Sequence, residues 1–205
     1  MSKALGGAVQ RAVAIFPPLA SQIEAAVRAA DHAAALGYVG SEQRLTMLKA
    51  IWSCVPRSKR PELLAAALSG GDAPSLELMF VVKAMRQIRE TGAVVAGSPA
   101  DREFLAGLHS TVTAYRGTTQ AEIDDAPFFG VCWTTDLARA RWFATVHGRF
   151  RSTSTPPVLL TMTVDKSDIA GAVAERGESE LFIDPAITSR SHSDGRLRVE
   201  RIEQG

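Results

Sequence analysis

The stretch Gly130-Val131-Cys132-Trp133-Thr134-Thr135-Asp136-Leu137-Ala138-Arg139-Ala140-Arg141-Trp142-Phe143-Ala144 decides how the second half of this chain is read. Its opening residues form a short strand candidate. Thr135 or Asp136 then serves as a helix N-cap, because a side-chain oxygen there accepts from first-turn amides that lack a helical partner. Leu137, Ala140 and Ala144 fall on one helical face, and Gly148 closes the run. Hydroxyls at such a strand–helix junction, here Thr134 and Thr135, can order a neighbouring carboxylate or touch a substrate. They can equally be plain caps.

Working outward, the flanks read as strands. Val112-Thr113-Ala114-Tyr115 is strand-like, with Arg116-Gly117 immediately after it. Val158, Leu160, Met162 and Val164 alternate with Leu159, Thr161 and Thr163, the period of a two-faced strand. Ser179 to Asp184 is a short strand candidate ended by Pro185, and Leu197 and Val199 begin another that loses register at Ile202. This is not βαβ alternation, and neither a G-x-G-x-x-G nor a Walker sequence is present.

The first 110 residues are rich in Ala and Leu and read as helices. They are expected over about 19 to 36, from Ser41 as N-cap through Leu48, Ile51, Trp52 and Val55, from Pro61 to Gly70-Gly71, over the stripe Leu78, Val81, Val82, Met85, Ile88, and over about 99 to 110. The fold class is therefore α+β: a helical N-terminal region, 1–110, as a recognition or cleft-framing lobe, followed by a domain of short mixed strands, 111–205.

Composition narrows the function classes. With 205 residues, 46% hydrophobic and 22% charged, the chain can bury a core without a staple. Twenty-three basic against 22 acidic residues leave a formal net charge of +1, no bulk field for nucleic acid or membrane. The cluster Arg57-Ser58-Lys59-Arg60 reads as a solvated turn. Cys54 and Cys132 are too few for a disulfide framework, and the four histidines have no metal-ligand spacing with them, so no metal is expected. No signal peptide or membrane span is visible, which points to the cytoplasm.

Three polar groups carry chemistry: Arg116, the Trp133-Thr134-Thr135 junction, and Glu178-Ser179-Glu180, whose carboxylates share one side of a strand. An arginine grips a pyrophosphate through parallel hydrogen bonds, and paired carboxylates can divide charge stabilisation from base catalysis.

Tyr115-Arg116-Gly117, then the quoted stretch, then Arg176-Gly177-Glu178-Ser179-Glu180, resembles the arginine–serine–glutamate class of mono-ADP-ribosyltransferases, which includes bacterial toxins and bacteriophage enzymes that modify host proteins. The resemblance covers about 111 to 186. It implies a split-sheet core binding NAD as co-substrate across a central cleft, and a protein that works in the cytoplasm or is delivered into or made in a host cell. Arg116 would hold the phosphates or adjoining ribose, and the Gly117 backbone would lie near the nicotinamide amide. Trp133, Thr134 and Thr135 would line the cofactor site, with Thr134 orienting Glu180. Glu180 would bind the nicotinamide ribose 2′-hydroxyl and stabilise the oxocarbenium-like transition state, and Glu178 would orient or deprotonate the acceptor. A Glu at 178 resembles the members that modify arginine side chains, so a target-protein arginine is the expected acceptor.

Cys132 stands where the class has the first residue of its Ser-Thr-Ser motif, and the turn from Gly171 to Gly177 carries no aromatic residue. Phe150, in Arg149-Phe150-Arg151, would either face nicotinamide or pack in the core. Two alternatives stay open: an NAD glycohydrolase toxin, and a non-catalytic interaction protein on a degenerate scaffold.

Overall fold

The computed structural model describes residues 3–69, 77–125, 130–147, 155–174 and 179–202. Its contacts divide the chain into two compact units, Met1–Gly97 and Ser98–Gly205.

The first unit is helical: α1 Lys3–Ile15, α2 Ala20–Arg28, α3 His32–Gly37, α4 Arg44–Ile51, α5 Arg60–Ser69 and α6 Leu78–Arg89. The stretch expected as one helix over 19–36 is two. Ala30 takes a positive φ of 59°, which ends α2, and the Asp31 carboxylate then accepts from the Ala34 amide at 3.0 Å to start α3. Ser41 belongs to a 3-10 turn before α4 rather than capping it. The apolar stripes are core: Ile23, Met47, Leu48, Ile51, Leu64, Leu68 and Met85 are almost fully buried. Polar groups tie their ends. The Arg11 guanidinium donates to the Ala50 carbonyl from Nε (3.2 Å) and Nη2 (2.9 Å), covering a carbonyl near the end of α4 that has no helical partner. Trp52 donates from Nε1 to Gln87 (3.0 Å) while Arg60 stacks 4.8 Å over its ring.

The second unit opens with α7, Pro99–Gly107. This helix is anchored by Asp101, 1% exposed. Its Oδ2 accepts from the Ser98 amide at 2.8 Å, closing a capping box in which Ser98 accepts from the Asp101 amide. Its Oδ1 accepts from the Ala174 amide at 2.8 Å, fastening α7 to the end of strand β4, Ile169–Val173. Asp101→Ala is expected to cost about 3 kcal/mol, since both a cap and a charge-assisted bond to the part-buried Ala174 amide are lost. A urea midpoint unchanged from the parent would refute this.

The remaining elements are β1 Thr111–Thr119, α8 Gln120–Asp125, β2 Cys132–Thr134, α9 Leu137–Trp142 continuing as a π turn over Phe143–His147, β3 Pro157–Asp165, β5 Glu180–Ile183, α10 Pro185–Ser193 and β6 Leu197–Arg201. The strands form one sheet in the order β4-β5-β2-β1-β3-β6. Every pairing is antiparallel, where a mixed sheet was expected. The strand read as stopping at Tyr115 runs on through Arg116 and Gly117 to Thr119, because β3 pairs with it over its full length from Thr111↔Asp165 to Thr119↔Pro157. The sheet narrows at one place: β1 meets β2 at the single register Tyr115↔Thr134. Two three-stranded halves, β4-β5-β2 and β1-β3-β6, thus share a thin seam.

The face of β1 carrying Val112 and Ala114 is buried with Met162, Leu160 and Val158 of β3, the alternation a half-buried strand requires.

Candidate active site at the sheet seam

The seam gathers the polar residues singled out in the sequence. Thr134 ends β2 and is flanked by Tyr115 on β1 and by Glu180 on β5. Thr134 is buried, and its hydroxyl oxygen accepts from the Asp136 amide at 3.0 Å. That bond turns the chain out of the strand. Asp136, rather than Thr135, then caps α9, its carboxylate accepting from the Ala138 (2.8 Å) and Arg139 (3.1 Å) amides. Thr135 contributes its backbone instead, donating to the Ser179 carbonyl at 3.2 Å.

Ser179 sits at φ 45°, in the left-handed region that costs a non-glycine residue energy. The Thr135 amide holds this bend, and Glu180 follows it directly into β5. Glu180 therefore begins the strand at a fixed place, between Thr134 and Val173 of the neighbouring strands. The residue is half-buried and its Oε2 is shut off from solvent.

Arg116 reaches the same strand from the other side of the seam. Its side chain is 18% exposed, and Nη1 donates to the Cys132 carbonyl at 2.7 Å. Gly130, at φ 73°, lets it lie there: a Cβ on Gly130 would stand 2.7 Å from the guanidinium carbon. Because Tyr115 and Arg116 are consecutive, they leave β1 on opposite faces. Arg116 and Glu180 are thus linked through the two ends of β2, Cys132 and Thr134, and not by a direct ion pair. Among the described residues the carboxylate near Arg116 is Glu122 of α8, with Oε2 4.0 Å from Nη2. Thr118 donates its hydroxyl to that same Oε2.

Gly117 has a packing role visible in the geometry. The backbone of α9 and its π turn crosses it so closely that a Cβ would meet the Ala140 carbonyl oxygen at 1.9 Å. Trp133 is 2% exposed, and its Nε1–H is buried without an acceptor among the described residues. A donor left so costs free energy unless something polar completes it. Arg139 stacks over Trp142 (5.0 Å) and Phe143 (5.3 Å) on α9 and the π turn.

Glu178 and Phe150 lie outside the described residues. Glu122 was missed in the sequence. Its signal, a threonine four residues earlier at the end of a strand, is too common to single out. Among the described residues no group of three or more His, Cys, Asp or Glu side chains could hold a metal ion, and no helix is long and apolar enough to cross a membrane.

Comparisons with protein families, with curated proteins and with solved structures find no match to this chain.

Proposed function

We propose that the second unit carries an NAD-dependent mono-ADP-ribosyltransferase that transfers ADP-ribose to an arginine of a target protein and releases nicotinamide, in the cytoplasm or inside a host cell. The observation that carries this reading is the register at the seam. It sets Thr134 beside Glu180, while Arg116 is fastened to the other end of the same short strand. An anion-gripping cation and a partly buried carboxylate thus flank one narrow junction, as cleavage of a pyrophosphate-bearing cationic glycoside requires. The thin contact between two three-stranded halves supports the split-sheet core that the sequence resemblance implies.

NAD fits the donor set: Arg116 for phosphate, and on the short strand it is fastened to, the Trp133 Nε1–H, which has no acceptor among the described residues. Nicotinamide leaves as a neutral molecule, so no acid has to protonate it. Glu180 then works by placing negative charge and a hydrogen-bond acceptor beside the ribose as positive charge develops. Thr134 fixes the strand that carries this alignment. Glu178 takes the acceptor guanidinium's proton or orients it.

Labelled NAD added to bacterial lysate tests the reading. Wild-type protein is expected to label a protein band that Glu180→Gln does not. Glu180-dependent NAD loss without a band would favour hydrolysis over transfer. Neither label nor NAD loss, in bacterial and eukaryotic lysates alike, would overturn the enzyme reading.

Gly130→Ala gives a second check. Its Cβ would push the Arg116 guanidinium off the Cys132 carbonyl, so NAD affinity is expected to fall roughly tenfold, as when one charge-assisted contact is lost. Equal dissociation constants for variant and parent by calorimetry would contradict this role for Arg116.

A further inference from the structure

We propose that Glu122 is the resting counter-ion of Arg116, and that the anionic half of the ligand takes its place at the guanidinium. The inference rests on the reading of Arg116 as the phosphate-gripping residue. Arg116 is mostly buried, and a buried guanidinium needs compensating charge. Among the described residues it makes one direct hydrogen bond, to a neutral carbonyl, and its ion-pair partner is Glu122 at 4.0 Å. That separation gives Coulombic attraction without a direct hydrogen bond, so Glu122 does not itself occupy the Nη2 hydrogens that a phosphate oxygen would take.

Glu122 keeps its station without help from the arginine. The Thr118 hydroxyl, from the same strand as Arg116, donates to the very oxygen that faces the guanidinium. At 39% side-chain exposure on a six-residue helix, Glu122 has a path into solvent when an anion arrives. Its charge stands close enough to a phosphate on Arg116 to oppose it. The arrangement balances Arg116 in the empty protein and lowers its affinity for anions.

Glu122→Gln separates charge from contact, because the amide oxygen can still accept from Thr118. The variant is expected to bind ADP-ribose roughly two- to fivefold more tightly than wild type, the range of a partly exposed pair, with the difference shrinking as salt rises. The gain should vanish when Glu122→Gln is placed in an Arg116→Gln background. Titration calorimetry with ADP-ribose and with inorganic pyrophosphate, alongside melting temperatures to verify folding, reads all of this. Weaker binding by Glu122→Gln would mean that Glu122 positions Arg116 and would overturn the counter-ion role. Unchanged binding would overturn it too. If no form of the protein binds ADP-ribose or NAD, yet Glu122→Gln tightens pyrophosphate in an Arg116-dependent way, the counter-ion inference stands and the NAD reading falls.

Discussion

Replacing Glu180 by Gln should lower NAD-dependent transfer by about a hundred- to a thousandfold, the usual cost of removing one preorganised electrostatic group from a transition state. The substitution keeps size and shape at a half-buried position, so the fold should survive. What changes is the charge beside the developing oxocarbenium. The placement of Glu180 is fixed by backbone features that the substitution leaves alone: the Thr134↔Glu180 register and the Thr135–Ser179 bond at the left-handed bend. NAD affinity should therefore move much less than turnover, the signature of an interaction made mainly in the transition state. Single-turnover kinetics with labelled NAD would decide the matter. A variant with near-parental turnover and intact circular dichroism would remove Glu180 from the chemistry.

Gly117→Ala has the largest expected effect on stability. The added carbon would stand 1.9 Å from the Ala140 carbonyl oxygen, 2.5 Å from the Ala144 nitrogen and 3.0 Å from the Ala140 carbonyl carbon. All three are backbone atoms of the α9 segment, so no side chain can swing aside. The helix must lift from β1, exposing the buried Ala140 and Ala144. Overpacking usually costs about 1–3 kcal/mol, and displacement of a whole element puts this case at about 3 kcal/mol or more. Urea unfolding followed by the fluorescence of Trp133 and Trp142 would record it. A midpoint equal to the parent's would show that α9 can shift freely over the strand.

How much of this was legible depends on whether the signal was local. The stripe through Leu78, Val81, Met85 and Ile88 is a period that a helix alone explains, and α6 runs Leu78–Arg89. The β3 alternation likewise matches Pro157–Asp165. Asp136, one of the two caps read for α9, does cap it, because an oxygen in the right place is a local device. Strand β4, by contrast, reads Ile-Ala-Gly-Ala-Val and is buried throughout, leaving no polar alternation to find. Helix α10 was hidden behind Pro185, read as a strand terminator, which instead occupies the first helical turn after the Asp184 cap. Arg116 reads as following a strand because a charged residue beside a glycine looks like an end. Long-range pairing with Leu160 keeps it inside. The Thr118–Glu122–Arg116 cluster and the Gly130 cradle arise from tertiary approach, which no single-chain pattern encodes.

The narrow seam also bears on mechanics. Two leaves, each holding its own ladder, meet across the middle of the sheet at one residue pair, braced by the Arg116–Cys132 hydrogen bond and by helix α9, which packs on both β1 and β2. Arg116 belongs to one leaf and Glu180 to the other. A ligand spanning both would act as a rivet, stiffening the joint as it binds, and part of its binding energy would be taken up in setting the angle between the leaves.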